Sequence, residues 1–295
     1  WQLGRVTPLG ISKDGKLLVY KVGTPSVEEN KINSKYYTIP VQGGNATLVE
    51  NYKSLLADKN VSPDGKNLLF SKEVKVEKLL GKDLYPELSK TTAQVYTGLD
   101  YRHWDTWNDG THNHVFYSEN KKDAIGIDIM PNEPFDAPQK PFGSDEDYVW
   151  SPDGTKIIYV CKKKAGTAYA TSTNTDLYEY DLATKITKNL TEGNLGYDTH
   201  PTFSPQGDLS WLQMKRDGFE ADKNDIIVRH KGLDINLTAG WDGTVDGFTW
   251  STDGKKVYFI APIKGTKQLF EVNFPGLTKI AVRVTQLTDG DFDVN

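Results

Sequence analysis

The chain has 295 residues, of which 37% are hydrophobic and 11% aromatic, and its formal net charge is −5. This composition is typical of a globular protein and excludes a disordered chain, while the negative charge argues against a nucleic-acid partner. The single cysteine, Cys161, excludes an intrachain disulfide, and without a run of about 18 apolar residues no membrane span is expected. The tyrosines and tryptophans favour strands over helices.

A short turn motif recurs five times along the chain. Most copies read Ser-x-Asp-Gly, and each precedes a run of apolar residues that is typical of a strand. Proline sets φ at the second turn position, aspartate bonds the backbone two residues on, and glycine accepts a positive φ. Each copy therefore predicts a tight hairpin. The turns lie at residues 12–15, 62–65, 151–154, 204–207 and 251–254.

The turns divide the chain into repeats that each hold four predicted strands, one before the turn and three after it. A Leu-Thr pair ends three of the repeats, at Leu190, Leu237 and Leu287. Repeats of about 40–50 residues with four strands are typical of propeller blades. We therefore predict an all-β propeller of TolB or WD40 type over residues 1–295, with four-stranded antiparallel blades. About five to six blades fit this length.

The interval between the second and third turns is much longer than the others. We interpret it as one blade with an insertion at about 72–113, whose second strand is 114–117 and whose third lies near 124–127. The start of the insertion is rich in Lys and Glu and is compatible with a short helix. The alternative is that Trp107-Asn-Asp-Gly110 forms a degenerate sixth turn and divides the interval into two blades.

The chain begins at Trp1 and ends shortly after Leu287, where the next turn would follow. We therefore expect a fragment of a longer protein, so that the absence of a signal peptide is uninformative.

The topology of the repeats assigns the loops to two faces, because antiparallel strands alternate in direction. The short turns share one face, and the long irregular connections share the other. Function concentrates on variable loops that a rigid scaffold positions, so we expect the site on the second face. The long connections are residues 73–113, 162–175, 194–200 and 215–224.

Motifs for common catalytic chemistry are missing from the sequence, which has no Gly-x-Ser-x-Gly elbow, no phosphate-binding loop and no His-Glu-x-x-His. His112 and His114 share a strand face near His103, but no acidic or Cys ligand follows with metal-like spacing. We therefore favour hydrogen-bonded or solvated histidines over a metal site and expect no cofactor. Cys161, after an apolar strand, is expected to be a buried, inert thiol.

Two charged segments on the loop face allow two readings each. Tyr101-Arg-His-Trp-Asp-Thr-Trp107 is either a hairpin in which Arg102 pairs with Asp105 or part of a cleft wall. Arg216-Asp-Gly-Phe-Glu-Ala-Asp222, near Tyr197-Asp-Thr-His200, is either a solvated loop or a set of carboxylates directed at a cationic group.

These segments, together with Asn113-His-Val-Phe116 and Trp150-Ser-Pro-Asp-Gly154, resemble the propeller of bacterial serine peptidases of the prolyl oligopeptidase family. Within it, the resemblance is to the dipeptidyl peptidase V and acylaminoacyl-peptidase types. It runs over nearly the whole chain. The Ser-x-Asp-Gly turns alone are less specific, because the periplasmic Tol propellers share them.

The resemblance implies an N-terminal propeller that covers a C-terminal α/β-hydrolase domain with a Ser-Asp-His triad, which this chain lacks. No serine here is therefore offered as a nucleophile. The implied parent is a periplasmic or secreted exopeptidase that removes dipeptides, and its propeller gates short peptides and holds their amino end. A homodimer is left open. The alternatives are a Tol-like module that binds a protein partner and, less favoured, a glycan-binding propeller or glycosidase.

A peptidase of this type must bind a protonated α-amine, for which carboxylates in a partly dehydrated cleft are suited. Glu220 and Asp222 would point the same way in an extended segment. For Asp217, the alternative is a role in the turn at Gly218 only. The neighbouring connection and the insertion supply the other predicted contacts. The predicted substrate-binding residues are Glu220, Asp222, Arg216, Asp198, His200, Arg102 and Trp104.

Overall fold

The computed structural model of the protein describes residues 5–25, 32–102, 104–278 and 282–294. In these ranges the strands form five separate antiparallel sheets. The chain divides into two compact units, Trp1–Lys59 and Asn60–Asn295. None of the described helices is long and apolar enough to cross a membrane.

The first unit contains one sheet in which the strands pair in chain order. Val19 and Val22 on its second strand are buried, and Tyr20 stacks on Tyr37 of the third strand with ring centroids 5.6 Å apart. The elements are β1 (Arg5–Ile11), β2 (Leu17–Pro25), β3 (Ile32–Pro40), β4 (Thr47–Val49) and a 3-10 turn at Tyr52–Ser54.

The second unit begins with a three-stranded sheet, β5 (Asn67–Lys75), β6 (Thr111–Glu119) and β7 (Ile127–Asp128). The predicted insertion lies between β5 and β6 and includes a short helix, α1 (Gly81–Leu84), and a 3-10 turn at Pro86–Leu88. β6 pairs directly with β5 along its whole length.

This pairing decides between the two interpretations of the long interval. Because Gly110 leads straight into β6, residues 107–110 connect two strands of one sheet and do not begin another. The described residues thus form five blades, and the upper limit of six was wrong.

The remaining three sheets each have four strands in sequence order, with the long α2 connection inside the third. The third is β8 (Tyr148–Trp150), β9 (Lys156–Cys161), β10 (Asp176–Asp181) and β11 (Thr187–Asn189), preceded by a 3-10 turn at Asp145–Asp147 and interrupted by α2 (Thr167–Thr171). The fourth is β12 (Asp198–Phe203), β13 (Leu209–Gln213), β14 (Asp225–His230) and β15 (Leu233–Asn236). The fifth is β16 (Gly247–Trp250), β17 (Lys256–Ile263), β18 (Thr266–Asn273) and β19 (Val284–Gln286).

Four of the five recurring turns share one hydrogen-bond pattern, seen at residues 151–154. Ser151 Oγ donates to Asp153 Oδ1 at 2.6 Å and accepts from the Lys156 backbone N–H at 2.9 Å. The same aspartate oxygen accepts from the Thr155 N–H two residues on, and Gly154 has φ of 68°. Serine, aspartate and glycine therefore each have a distinct role in closing the hairpin. In the turn at 204–207, where Gln206 stands in place of the aspartate, Ser204 Oγ accepts from the backbone N–H groups of Gln206 and Asp208.

Strand alternation builds the cores between neighbouring sheets of the second unit. On β9, Ile157, Tyr159 and Cys161 pack in a cluster with the second sheet, whereas Ile158 and Val160 pack in a cluster with the fourth. A strand between two sheets buries both of its faces in this way. Burial raises the pKa of Cys161, as predicted for an inert thiol.

Candidate functional site

The long connections of the second unit meet through side-chain contacts. Asn174, before β10, donates to the Asn194 backbone oxygen at 2.9 Å, and Asn194 donates to the Met214 backbone oxygen at 2.8 Å. Ser172 Oγ donates to Asp217 Oδ1 at 2.6 Å. The connections at 162–175, 190–197 and 214–224 therefore form one hydrogen-bonded loop cluster.

The insertion joins this cluster across a cleft of about 640 Å³. Residues 96–102, Trp104 and 106–109 form one wall, and the rest of the lining comes from around the end of β5 and the start of β6 and from parts of the 134–141 and 164–169 segments. We call it the insertion cleft. Its aromatic surface includes Trp104 and Tyr101, which are 57% and 40% exposed. Both charged and aromatic groups are thus accessible to a ligand here.

His112 lies at the base of the insertion cleft between two carboxylates. Its Nδ1 is 3.3 Å from Asp136 Oδ2 and its Nε2 is 3.2 Å from Glu77 Oε2. Burial opposes protonation, but the two carboxylates outweigh it, so the pKa of His112 is raised above its usual value. Lys140 Nζ, 3.3 Å from Asp136 Oδ1, adds a further positive charge.

The second predicted histidine is structural. His114 is fully buried, with Nδ1 2.9 Å from Asp128 Oδ2 and Nε2 2.9 Å from the Glu133 backbone oxygen. The prediction of hydrogen-bonded histidines is confirmed for both residues, whereas His103 lies outside the described residues. In the part of the chain that the structure describes, no group of three or more His, Cys, Asp or Glu is arranged to hold a metal ion.

Arg102 and Trp104, both predicted site residues, line the insertion cleft. The Arg102 guanidinium lies 4.0 Å from the centre of the Trp107 ring. It also donates to the backbone oxygen of Asp105 at 3.4 Å, a weak contact that does not involve the carboxylate. Trp104 packs edge-on against Phe142. Arg102 and Trp104 therefore lie in the wall of the cleft and are held there by aromatic contacts.

Glu220 lies at a second, smaller pocket, formed by residues 170–173 and 218–221 and enclosing about 430 Å³. We call it the α2 pocket, because the end of α2 lines it, while Gly166 and Tyr169, before and within α2, line the insertion cleft. One short helix therefore separates Glu220 from Arg102 and Trp104.

Arg216, Asp217 and Asp222 of the Glu220 loop have hydrogen-bond partners within the protein. Arg216 Nη2 donates to Asp222 Oδ1 at 2.9 Å, and the Arg216 backbone N–H donates to Asp222 Oδ2 at 3.1 Å. The guanidinium holds the pKa of Asp222 at about 2. Asp217, by contrast, joins this loop to Ser172 and Thr173 of the neighbouring connection.

Asp198 and His200 lie on β12 in different environments. Asp198 is fully buried, and burial raises its pKa to about 6 although the side chains of Trp211, Gln213 and Asn194 donate to it. His200 is exposed and has a positive φ of 55°, within an irregular stretch of the β12–β13 pairing. The structure therefore places Asp198 beneath the loop cluster.

Glu77 and Asp136 escaped the sequence analysis, although both contact His112. They come from separate connections, and neither belongs to a recognisable motif. Lys162 was missed as well: it is 2% exposed, and its Nζ lies 5.1 Å from the centre of the Tyr169 ring. Burial lowers the pKa of Lys162. The proximity of these acidic residues to a histidine that lines the cleft can be recognised only once the fold is known.

The chain is similar in sequence to proteins that are named as peptidases. No protein-family profile matches the chain. It is 34% identical to dipeptidyl-peptidase 5 of Porphyromonas gingivalis and 32% identical to dipeptidyl-peptidase 5 of Porphyromonas endodontalis, each over an alignment of 340 residues. These alignments cover 99% of this chain but only 49% and 48% of the two relatives. The chain thus spans about half the length of the curated relatives it matches.

A solved structure shows the same architecture. Acylaminoacyl peptidase of Pyrococcus horikoshii matches with a TM-score of 0.59 at 14% identity, over 96% of this chain and 46% of that one. At this identity the match concerns the fold alone. The sequence similarity over 99% of the chain and the five antiparallel sheets together show that the chain is a β-propeller domain related to the dipeptidyl-peptidase 5 proteins.

Proposed function

We propose that this propeller gates substrate access to a serine dipeptidyl peptidase and binds the free amino end of short peptides. The catalytic triad would belong to an α/β-hydrolase domain in the remainder of the protein. The proposal rests on relatives named dipeptidyl-peptidase 5 that are about twice as long as the chain. A periplasmic or secreted location is part of the same proposal and rests on the family resemblance alone.

The observation that carries amino-end binding is the position of Glu220 at the α2 pocket. The one arginine of its loop, Arg216, already pairs with Asp222. An ammonium group that enters this pocket would therefore meet the Glu220 carboxylate beside an arginine whose charge is already balanced. Charge-assisted hydrogen bonds of this kind contribute about 1.5–3 kcal/mol each.

In this proposal some of the other predicted residues support the loops, and others line the cleft or contact the substrate. Asp222 holds Arg216, and Asp198 supports the loops from below, so neither is assigned a direct contact with substrate. Arg102 and Trp104 line the adjoining insertion cleft, where later residues of a peptide could lie. His200 remains a proposed substrate contact. A Tol-like module without a hydrolase domain is the less favoured alternative, because the similar relatives are named peptidases.

The test is Glu220→Gln in the full-length protein, with Glu192→Gln on the neighbouring exposed loop as the matched control. We expect KM for dipeptidyl substrates with a free amino end to rise tenfold or more, equivalent to about 1.4 kcal/mol. An N-acylated substrate should lose little, because it lacks the charge. Equal effects on both substrates, or none on either, would assign the amino end to another residue.

The proposal that the catalytic serine lies in a separate domain can be tested with the 295-residue chain. It should neither hydrolyse dipeptidyl chromogenic substrates nor react with serine-directed phosphonates, since the nucleophile would lie elsewhere. Stoichiometric phosphonate labelling of a serine in this chain would contradict the proposal.

A further inference from the structure

We propose that the insertion cleft is a second binding site, which takes the lysine side chain of a peptide, with Glu77 as the partner of its ammonium group. This site lies on the other side of α2 from Glu220 and does not depend on the proposed function. The ligand chemistry is a primary ammonium on an apolar stem.

The hydrogen bonds of Glu77 within the described residues involve one of its two carboxylate oxygens, so the other is available to a ligand. Its Oε2 accepts from Asn108 Nδ2 at 3.2 Å and lies 3.2 Å from His112 Nε2. Among the described residues, no hydrogen-bond partner lies at Oε1. The side chain is 39% exposed and lines the cleft. Asn108 and His112 thus fix the carboxylate while one oxygen stays accessible.

The walls of the cleft suit the apolar stem of a lysine. Tyr96 and Trp107 pack against each other with centroids 5.8 Å apart, and Tyr96 Oη donates to the Asn108 backbone oxygen at 2.6 Å. These contacts hold an aromatic wall beside the residue that also orients Glu77. Methylene groups pack on such rings, and an ammonium near a ring face gains a cation–π interaction.

Two of the positively charged side chains that line the cleft already interact with other groups of the protein. Lys140 Nζ donates to the Thr111 backbone oxygen at 3.1 Å and lies 3.3 Å from Asp136 Oδ1, and Arg102 lies over Trp107. Acidic residues outnumber basic ones in the lining, so a cation is the favoured ligand. The charged and titratable lining residues are Glu73, Glu77, Asp100, Asp109, Asp136, Arg102, His112, Lys140, Lys164, Tyr96, Tyr101 and Tyr169.

His112 makes the site dependent on pH. When His112 is protonated, its positive charge lies against Glu77 and opposes a second cation at that carboxylate. When His112 loses its proton, one positive charge disappears, and the net charge of the cluster of Glu77, His112, Asp136 and Lys140 becomes more negative by one unit. Affinity for an ammonium should therefore rise as pH increases through the raised pKa of His112. By linkage, a bound ammonium must lower the pKa of His112.

The experiment measures binding of three dipeptide amides to the 295-residue chain by calorimetry at pH 5.5 and pH 8. They are acetyl-Ala-Lys-amide, acetyl-Ala-norleucine-amide, which keeps the stem without the charge, and Ala-norleucine-amide, which carries only an α-amine. We expect the lysine peptide to bind at least tenfold more tightly than acetyl-Ala-norleucine-amide at pH 8, and more weakly at pH 5.5.

Glu77→Gln should remove this preference, whereas Glu119→Gln, at the far end of β6 and exposed, should keep it. Equal affinity for the two acetylated peptides, or a Glu77→Gln chain that retains the preference, would overturn the proposal. Tighter, Glu77-dependent binding of Ala-norleucine-amide would overturn the lysine assignment in favour of a peptide α-amine.

A second measurement needs no variant at the ligand contact. The His112 ring signals, assigned with His112→Gln, are titrated by NMR with and without saturating peptide. The lysine peptide should lower the pKa of His112, and acetyl-Ala-norleucine-amide should leave it unchanged. An unchanged pKa with the lysine peptide bound would place that peptide away from Glu77 and contradict the proposal.

Discussion

Trp211 donates its indole N–H to Asp198 Oδ1 at 2.7 Å, and neither residue has any exposed surface. The same oxygen accepts from Gln213 Nε2 at 2.8 Å, while Oδ2 accepts from Asn194 Nδ2 at 3.1 Å. One buried carboxylate therefore ties the 190–197 connection to β13. The loops that shape the α2 pocket depend on a residue that does not itself reach solvent.

Asp198→Ala should destabilise the protein strongly. The substitution leaves three side-chain donors without their acceptor, and each unsatisfied buried group costs about 1–3 kcal/mol. We expect the free energy of unfolding to fall by at least about 3 kcal/mol in denaturant titrations. Glu192→Ala, on the same connection but exposed, should change it by less than about 0.5 kcal/mol. Similar values for the two variants would refute a supporting role for Asp198.

The pKa of Asp198 predicts a pH dependence of stability. Burial raises this pKa to about 6, against 3.8 for a free carboxyl. Between these two pH values the folded protein therefore holds a proton that the unfolded chain has released. This contribution to stability is fully present below about pH 4 and is lost as pH rises through 6. Relative to Asp198→Asn, wild type should gain up to about 3 kcal/mol between pH 7 and pH 4. Parallel stability curves for the two proteins would contradict the assignment.

Asp217 and Asp222 should respond differently to substitution, although both lie in the Glu220 loop. Asp217 accepts hydrogen bonds from Ser172 and Thr173 of another connection, whereas Asp222 pairs with Arg216 in its own loop. Asp217→Ala should increase amide hydrogen exchange at residues 171–174.

For the Asp222 pair, the Arg216 side chain is 60% exposed, and such surface pairs contribute less than about 1 kcal/mol. Asp222→Ala should therefore raise exchange only at residues 216–222. Increased exchange at 171–174 in both variants would show that the ion pair also holds the junction.

Two glycines at equivalent turn positions test how neighbouring turns pack. Gly65 and Gly254 have φ of 75° and 65°, so alanine at either is strained by roughly 1–2 kcal/mol. A Cβ at Gly65 meets open space, whereas one at Gly254 would overlap the Gln206 side chain, which donates to the Asp253 backbone oxygen. Gly254→Ala should lower the melting temperature more than Gly65→Ala, and adding Gln206→Ala should remove the excess. Equal effects of the two single variants would exclude the contact.

The blade repeat could be predicted from the sequence because its signals are local. In four of the five turns the serine, aspartate and glycine act on backbone groups within five residues, as at Ser151, Asp153 and Lys156. The alternation along β9 likewise follows from the two-residue period of a strand. Such features need no knowledge of distant parts of the chain, so the strand after each turn could be predicted.

The electrostatic character of the candidate site was decided only by the tertiary structure. The sequence placed Glu220 and Asp222 in one loop, but it did not indicate that Arg216 pairs with Asp222 or that Asp198 is buried and accepts hydrogen bonds from neighbouring side chains. Glu77, His112 and Asp136 come from three separate segments, and their proximity depends on how β6 pairs with β5 and how the 134–141 connection folds back. A carboxylate's charge and accessibility depend on groups within a few ångströms, and the fold alone determines which groups those are.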